Sequence, residues 1–98
     1  MILITIRMKV LAEKHKELSQ TISSLAGSIR AEKGCKRCDF CHNEEDENDL
    51  LLLEQWDSEE NLQTHMKSEC FRVLRGAANL LREPCEVMFH REFEPGGL

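Results

Sequence analysis

The chain has 98 residues, of which 41% are hydrophobic and 32% are charged, and its net charge at neutral pH is -5. This length predicts one domain, and the composition is typical of a folded protein rather than a disordered one. The acidic balance disfavours nucleic acid or an anionic membrane surface as a partner. No apolar run approaches the ~20 residues that span a bilayer, and no signal-peptide pattern is present. We therefore expect a cytoplasmic protein.

The first half of the chain shows strand and helix patterns in turn. Residues 2–8 place apolar side chains on one face by the two-residue period of a strand. Residues 10–33 carry apolar side chains at three- and four-residue spacing, which predicts a long helix that stops at Gly34. A second strand is predicted over residues 35–42, an acidic turn over 43–49 and a very apolar third strand over 50–56.

The second half begins with a helix start signal. Asp57 and Ser58 are typical helix-capping residues, and Asp57 with Glu60 has the spacing of a capping box. The helical pattern extends to about Arg82, with a break near residues 68–70, and Pro84 follows it. Residues 85–93 are predicted to form the last strand. We expect one domain over residues 1–98, with a frayed tail at 94–98.

The predicted element order is β-α-β-β-α-β, the split βαβ pattern of ferredoxin-like α+β domains. It predicts a four-stranded antiparallel sheet with the helices on one face. The third strand is apolar on both faces, because Leu51 and Leu53 oppose Leu50, Leu52 and Trp56. Such a strand is buried on both faces, and the helices of one chain can cover only one. A homodimer with paired sheets is therefore expected.

Residues 54–65 carry a further pattern: a strand ends in Glu-x-Trp, an acidic helix cap follows, and His65 lies nine residues after Trp56. With the Gly-Cys pair at 34–35 and the Ser-Glu-Cys-Phe segment at 68–71, this pattern resembles the antibiotic biosynthesis monooxygenase family. The resemblance implies a dimeric α/β barrel with a pocket between sheet and helices in each subunit. Characterised relatives oxidise quinols or polycyclic aromatics with O₂ and no cofactor, one branch degrades haem, and others have no known activity.

Trp56 and His65 are the leading candidates for a catalytic pair. Oxygenation without a cofactor needs an electron-rich phenolate or enolate, and a neutral histidine can take the phenol proton near pH 7. The Trp56 ring can stack on an aromatic substrate. The alternative is a core tryptophan with a satisfied indole nitrogen and a histidine that faces solvent. The remaining substrate-pocket residues are expected to be Cys38, Phe40, Leu52, Glu54 and Phe71.

The cysteines of the second strand could suggest a metal or haem site. Cys35, Cys38 and Cys41 form C-x-x-C-x-x-C, and with His42 the last two also match the C-x-x-C-H motif of c-type haem attachment. Strand alternation, however, places Cys35 and Cys41 on one face and Cys38 on the other. We therefore expect no metal and no cofactor, with the cysteines packed as small apolar residues. Haem degradation is disfavoured because the first strand lacks the Asn of that branch.

The sequence leads to one functional hypothesis and two alternatives. The hypothesis is a cofactor-independent monooxygenase that oxidises a small aromatic quinol or phenol with O₂. The main alternative is a non-catalytic dimeric ligand-binding or stress-associated module of the same fold, and the second is a cysteine-based metal or redox protein. The observation that best separates them is whether Trp56 and His65 line one enclosed pocket.

Overall fold

A computed structural model describes residues 1–92, 96 and 97. The elements are β1 (Ile2–Lys9), α1 (His15–Arg30), β2 (Cys35–Asn43), β3 (Asp46–Trp56), α2 (Glu59–Met66), α3 (Glu69–Gly76) and β4 (Glu86–His90). The four strands form an antiparallel sheet in the order β2-β3-β1-β4, which is the ferredoxin-like α+β arrangement expected from the sequence. No helix in the described part of the chain is long and apolar enough to cross a membrane.

The core lies between one face of the sheet and the helices. The two-residue period of the strands and the helical spacing of α1 bring their apolar residues to this interface, as the sequence predicted. Burial of each large aliphatic side chain contributes roughly 1.5–3 kcal/mol, so this interface supplies most of the fold's stabilisation. Its strand and α1 members are Ile2, Ile4, Ile6, Met8, Leu50, Leu52, Trp56, Leu18, Ile22, Ala26 and Ile29.

The first helix begins later than the sequence indicated. Val10 is fully buried and pairs with Leu81 in a β-bridge, and a short 3-10 turn at Ala12–Lys14 precedes α1. The prediction was wrong here because Val10 continues the two-residue period of β1 and also fits the helical spacing. The helix also ends at Arg30, four residues before Gly34. Gly34 instead adopts a φ of 86°, a left-handed conformation that glycine tolerates best.

The turn between β2 and β3 is shorter than the seven residues expected. Glu44 and Glu45 alone form it, and β3 already begins at Asp46. Two side chains stabilise this hairpin by accepting backbone hydrogen bonds: Asn43 from the Glu45 N–H at 2.9 Å and Asp46 from the Asn48 N–H at 3.0 Å. Such local bonds allow an acidic segment to take an ordered turn instead of a loop.

The helix caps also differ in part from the prediction. Ser58 is the N-cap of α2 and accepts a bond from the Asn61 N–H at 3.2 Å. Asp57 bonds the Asn61 side chain instead of forming the expected capping box with Glu60. The predicted break is confirmed, because Ser68 caps a separate helix, α3.

The final elements are shorter than expected. The helical region ends in a 3-10 turn at Ala77–Leu80, two residues before the predicted Arg82. The last strand covers Glu86–His90 rather than residues 85–93. Phe93 and most of the predicted frayed tail, namely 94, 95 and 98, lie outside the described residues.

Candidate functional site

A buried cluster of polar and aromatic side chains lies where α2 packs on β3. Trp56, Glu54 and His65 are each at most 1% exposed. The two-residue period of β3 places Glu54 and Trp56 on one face, and α2 carries His65 over them. The Trp56 indole N–H donates to Oε1 of Glu54 at 2.9 Å. The Trp56 and His65 rings stack with their centroids 4.5 Å apart.

The imidazole of His65 lies between two carboxylates. Its Nδ1 is 3.0 and 3.1 Å from the two carboxylate oxygens of Glu32, which follows α1. Its Nε2 is 2.9 Å from Oε1 of Glu54, but this N–H is poorly aligned with that oxygen, so the contact is a close charge pair rather than a formed hydrogen bond. Within the described residues, Oε2 of Glu54 has no hydrogen-bond partner. An unpaired buried acceptor is costly, which marks Glu54 as a candidate functional group.

The environment of His65 favours its charged form. Burial lowers the pKa of His65, but the close contact with the Glu54 carboxylate and its charge, together with the hydrogen bond and charge of Glu32, outweigh burial, so the pKa lies above its ordinary value of 6.5. The imidazolium has a donor at both nitrogens, which suits a position between two carboxylates. The raised pKa favours a role for His65 in donating a proton or stabilising an anion over a role as the first base.

The structure brings most of the predicted site residues together. Phe71 from α3 meets the edge of the His65 ring, with centroids 5.6 Å apart. Cys38 lies opposite Glu54 across the β2–β3 ladder, and Phe40 lies opposite Leu52. Burial, with the charge of Glu54, raises the pKa of the Cys38 thiol to about 12. Cys38 is therefore an inert packing residue at neutral pH.

An apolar cavity of about 140 Å³ lies between the sheet and α3. Of the site residues predicted from the sequence, Phe71 alone lines this cavity. Its lining does not include Trp56, His65, Cys38, Phe40, Leu52 or Glu54. Because Phe71 also contacts the imidazole, this side chain connects the cavity with the buried cluster. The other lining residues come from β1, α1, α3 and the segment leading into β4: Ile6, Met8, Leu18, Leu74, Arg75, Ala77, Ala78, Leu81, Cys85 and Val87.

Sequence reasoning did not identify Glu32 or Arg75. Glu32 is 33 residues from His65 in the chain and lies in a turn, so no periodic pattern connects the two. Arg75 follows Phe71 by four residues, so the helical period does place both on one face of α3. That spacing could have been noticed.

The predicted arrangement of the β2 cysteines is wrong for Cys35. A register shift between Cys35 and Arg37 places Cys35 opposite Trp56, on the same face as Cys38. The irregularity adds one residue to β2 and so reverses the simple alternation. Cys41, opposite Leu51, lies on the other face. In residues 1–92, 96 and 97, no three or more His, Cys, Asp or Glu side chains are grouped so that they could hold a metal ion.

Similar solved structures share this fold over nearly the whole chain. A protein from Mycobacterium tuberculosis is 21% identical, with a TM-score of 0.89 over 98% of both chains. A proposed antibiotic biosynthesis monooxygenase from Deinococcus radiodurans is 18% identical, with a TM-score of 0.90 over 100% of this chain and 98% of that chain. A conserved protein from Methanosarcina mazei is 25% identical, with a TM-score of 0.87 over 94% of this chain and 92% of that chain. Likeness at such low identity supports the fold and not an activity.

The family assignment rests on a sequence comparison. The chain has no match among curated proteins. The family model for antibiotic biosynthesis monooxygenases, however, matches residues 1–77, from the first strand through α3. The matched region includes Glu32, Glu54, Trp56, His65 and Phe71. The chain therefore belongs to the antibiotic biosynthesis monooxygenase family.

Proposed function

We propose that this protein is a monooxygenase that oxidises a small aromatic quinol or phenol with O₂ and needs no cofactor. The supporting observation is the Glu54–Trp56–His65 cluster beside an apolar cavity, with Phe71 in contact with both. An engineered apolar cavity of about 150 Å³ in another protein binds benzene. A cavity of about 140 Å³ therefore has room for one aromatic ring.

The proposed reaction is balanced without an external reductant. A quinol and O₂ give a hydroxylated quinone and water: one oxygen atom enters the ring, the ring gives up two hydrogens, and the second oxygen atom leaves as water. All four electrons that reduce O₂ come from the ring. The protein must bind the ring, remove a hydroxyl proton to make it electron-rich, and supply protons to the reduced oxygen.

The buried cluster can perform the proton steps. The unpartnered Oε2 of Glu54 is an acceptor for the substrate proton, and the imidazolium of His65 is a donor to the anionic oxygen. Glu32 contacts His65 Nδ1 and is 22% exposed, so it connects the cluster to solvent and can restore the proton. Phe71 lies between the cavity and the imidazole, so this proposal requires the Phe71 side chain to move when the ring binds. His65 thus becomes the proton donor rather than the base first considered.

Oxygen uptake tests this proposal. We expect the wild type to consume O₂ faster than the autoxidation blank with hydroquinone- or naphthoquinol-like substrates and no added metal, flavin or nicotinamide. His65→Gln should lower kcat at least roughly tenfold, because acid–base help from one side chain is typically worth about 10²–10⁴-fold. His15→Gln is the matched control, since His15 on α1 bonds Asn48 away from the cluster.

Two results would contradict the proposal. Uptake by the wild type that never exceeds the blank would favour the non-catalytic ligand-binding module of the same fold. Equal rates for the wild type and His65→Gln, with matching circular dichroism spectra, would remove His65 from the mechanism. The cysteine-based alternative is not favoured, because burial raises the pKa of the Cys38 thiol to about 12.

Proteins of this family generally form dimers. We propose that this chain pairs through the outer face of its sheet, where Leu51 and Leu53 of β3 lie half-buried and Met88 of β4 is 47% exposed. A second copy would complete the burial of this face. Light scattering at micromolar concentration should give a mass near twice 11.3 kDa, and a species of 11.3 kDa would contradict the dimer.

A further inference from the structure

Arg75 is the one charged residue among the lining residues of the apolar cavity in the described chain. Its guanidinium carbon lies 4.8 Å from the centroid of the Phe71 ring. Its Nη2 donates to the backbone oxygen of Met66 at 3.2 Å. These two contacts hold the guanidinium at the solvent-exposed edge of the cavity, beside the ring that also meets His65.

The guanidinium of Arg75 has N–H donors that its contacts with the described residues do not use. An arginine has five N–H donors, and the bond to Met66 uses one of them. Among residues 1–92, 96 and 97, no carboxylate lies at ion-pair distance from Arg75, whereas Arg72 on the same helix pairs with Glu69 at 3.0 Å. An unpaired guanidinium presents a fork of donors that matches the two oxygens of a carboxylate.

The surface around Arg75 also favours an anion. Lys67 shares a shallow depression with Arg75 at the junction of α2 and α3, where the charge of Arg72 is already paired with Glu69. This local positive charge occurs in a chain whose net charge is -5. Grouped basic residues at the edge of a low-dielectric cavity attract small anions.

We infer that the cavity binds an aromatic acid with a single ring, which places its ring among the apolar side chains and its carboxylate on Arg75. The inference rests on the proposed function and deepens it, because it makes the substrate a phenol or quinol with an acidic substituent. The cavity volume of about 140 Å³ limits the apolar part to one ring. Arg75 then determines specificity by its pairing with the acid group.

Calorimetric titration with two matched probes, 4-hydroxybenzoate and its neutral analogue 4-hydroxybenzamide, tests the inference. The wild type should bind the acid roughly ten- to a hundredfold more tightly, the value of a charge-assisted hydrogen bond. Arg75→Gln should abolish this preference. Arg37→Gln, on β2 and outside both the cavity lining and the depression, should retain it. Ala78→Leu, which fills the cavity, should weaken binding of both probes.

Several outcomes would overturn the inference: equal affinities for the two probes, no binding of either, a preference that survives in Arg75→Gln, or full affinity in Ala78→Leu. Circular dichroism shows that each variant is folded. The failure of this inference can be told apart from the failure of the proposed function. If the protein oxygenates neutral quinols and shows no preference for acids, the proposed function stands and the inference is wrong. If the protein binds the acid but takes up no oxygen with acidic quinols, the inference stands and the proposed function is wrong.

Discussion

Replacement of Trp56 by alanine is expected to lower the free energy of unfolding by about 3–5 kcal/mol, the usual cost of removing a large aromatic side chain from a core. Trp56 is fully buried, so the substitution leaves a large cavity between β3 and α2. It also removes the N–H donor to Glu54 and the ring that stacks on His65. A domain of this size has about 5–15 kcal/mol of stability, so the loss is a large fraction of the total.

Urea denaturation followed by circular dichroism measures this change, since Trp56 is the sole tryptophan and fluorescence cannot report on the variant. Trp56→Phe is the control: it keeps an aromatic ring and loses the indole N–H, so its cost should be smaller, near the roughly 1–3 kcal/mol of an orphaned buried acceptor. If the free energy of unfolding of Trp56→Ala is within about 1 kcal/mol of the wild-type value, the Trp56 ring does not contribute to the core as described. The sequence-based hypothesis made Trp56 an aromatic wall for the substrate ring; in the structure its side chain is fully buried and stacks on His65.

Replacement of Glu54 by glutamine should destabilise the protein by about 3 kcal/mol below pH 6.5, because it removes one partner of a buried charge pair. Glu32 remains beside His65, which keeps the cost at the low end of the range for broken buried pairs. The charge of Glu54 holds the pKa of His65 above its ordinary value. The substitution should therefore lower the pKa of His65, a change that the NMR shift of its ring proton reports.

The stability difference between the wild type and Glu54→Gln should depend on pH in one direction. The pKa of His65 is higher in the folded state than in the unfolded state. The stabilisation that the Glu54 carboxylate gives to protonated His65 is therefore complete below pH 6.5, and it is lost as the pH rises through the folded-state pKa. The difference should therefore shrink above that pH. Denaturation curves below and above pH 6.5 test this, with Glu60→Gln on the exposed side of α2 as control. A difference that stays constant with pH would show that His65 is not charged in the cluster.

Periodicity was enough to predict the architecture. Alternation on β1 and β3 identified the face that the helices bury, and it placed Glu54 and Trp56 side by side. These strand features are local, so the repeat of one strand determines them. The nine-residue spacing from Trp56 to His65 was weaker evidence, since a histidine that faces solvent remained the alternative and the family resemblance favoured the pair.

Other features depend on contacts between distant segments. Glu32 meets His65 only because the turn after α1 packs against α2, and the cavity is lined by side chains from β1, α1, α3 and the segment leading into β4. The register shift after Cys35 is a property of strand pairing, which alternation within one strand does not reveal. Val10 fits both the two-residue period of β1 and the helical spacing of α1. Its β-bridge to Leu81 shows that it continues the strand pattern.

Isotope labelling with ¹⁸O₂ tests most directly whether this protein is a monooxygenase that needs no cofactor. The wild type is given a quinol and ¹⁸O₂ without added metal, flavin or nicotinamide, and the product is reduced at once to prevent exchange of its carbonyl oxygens with water. We expect a product that carries one labelled oxygen atom, with the second labelled atom recovered in water. An unlabelled quinone formed together with hydrogen peroxide would contradict the proposal, because O₂ would then accept electrons without entering the ring.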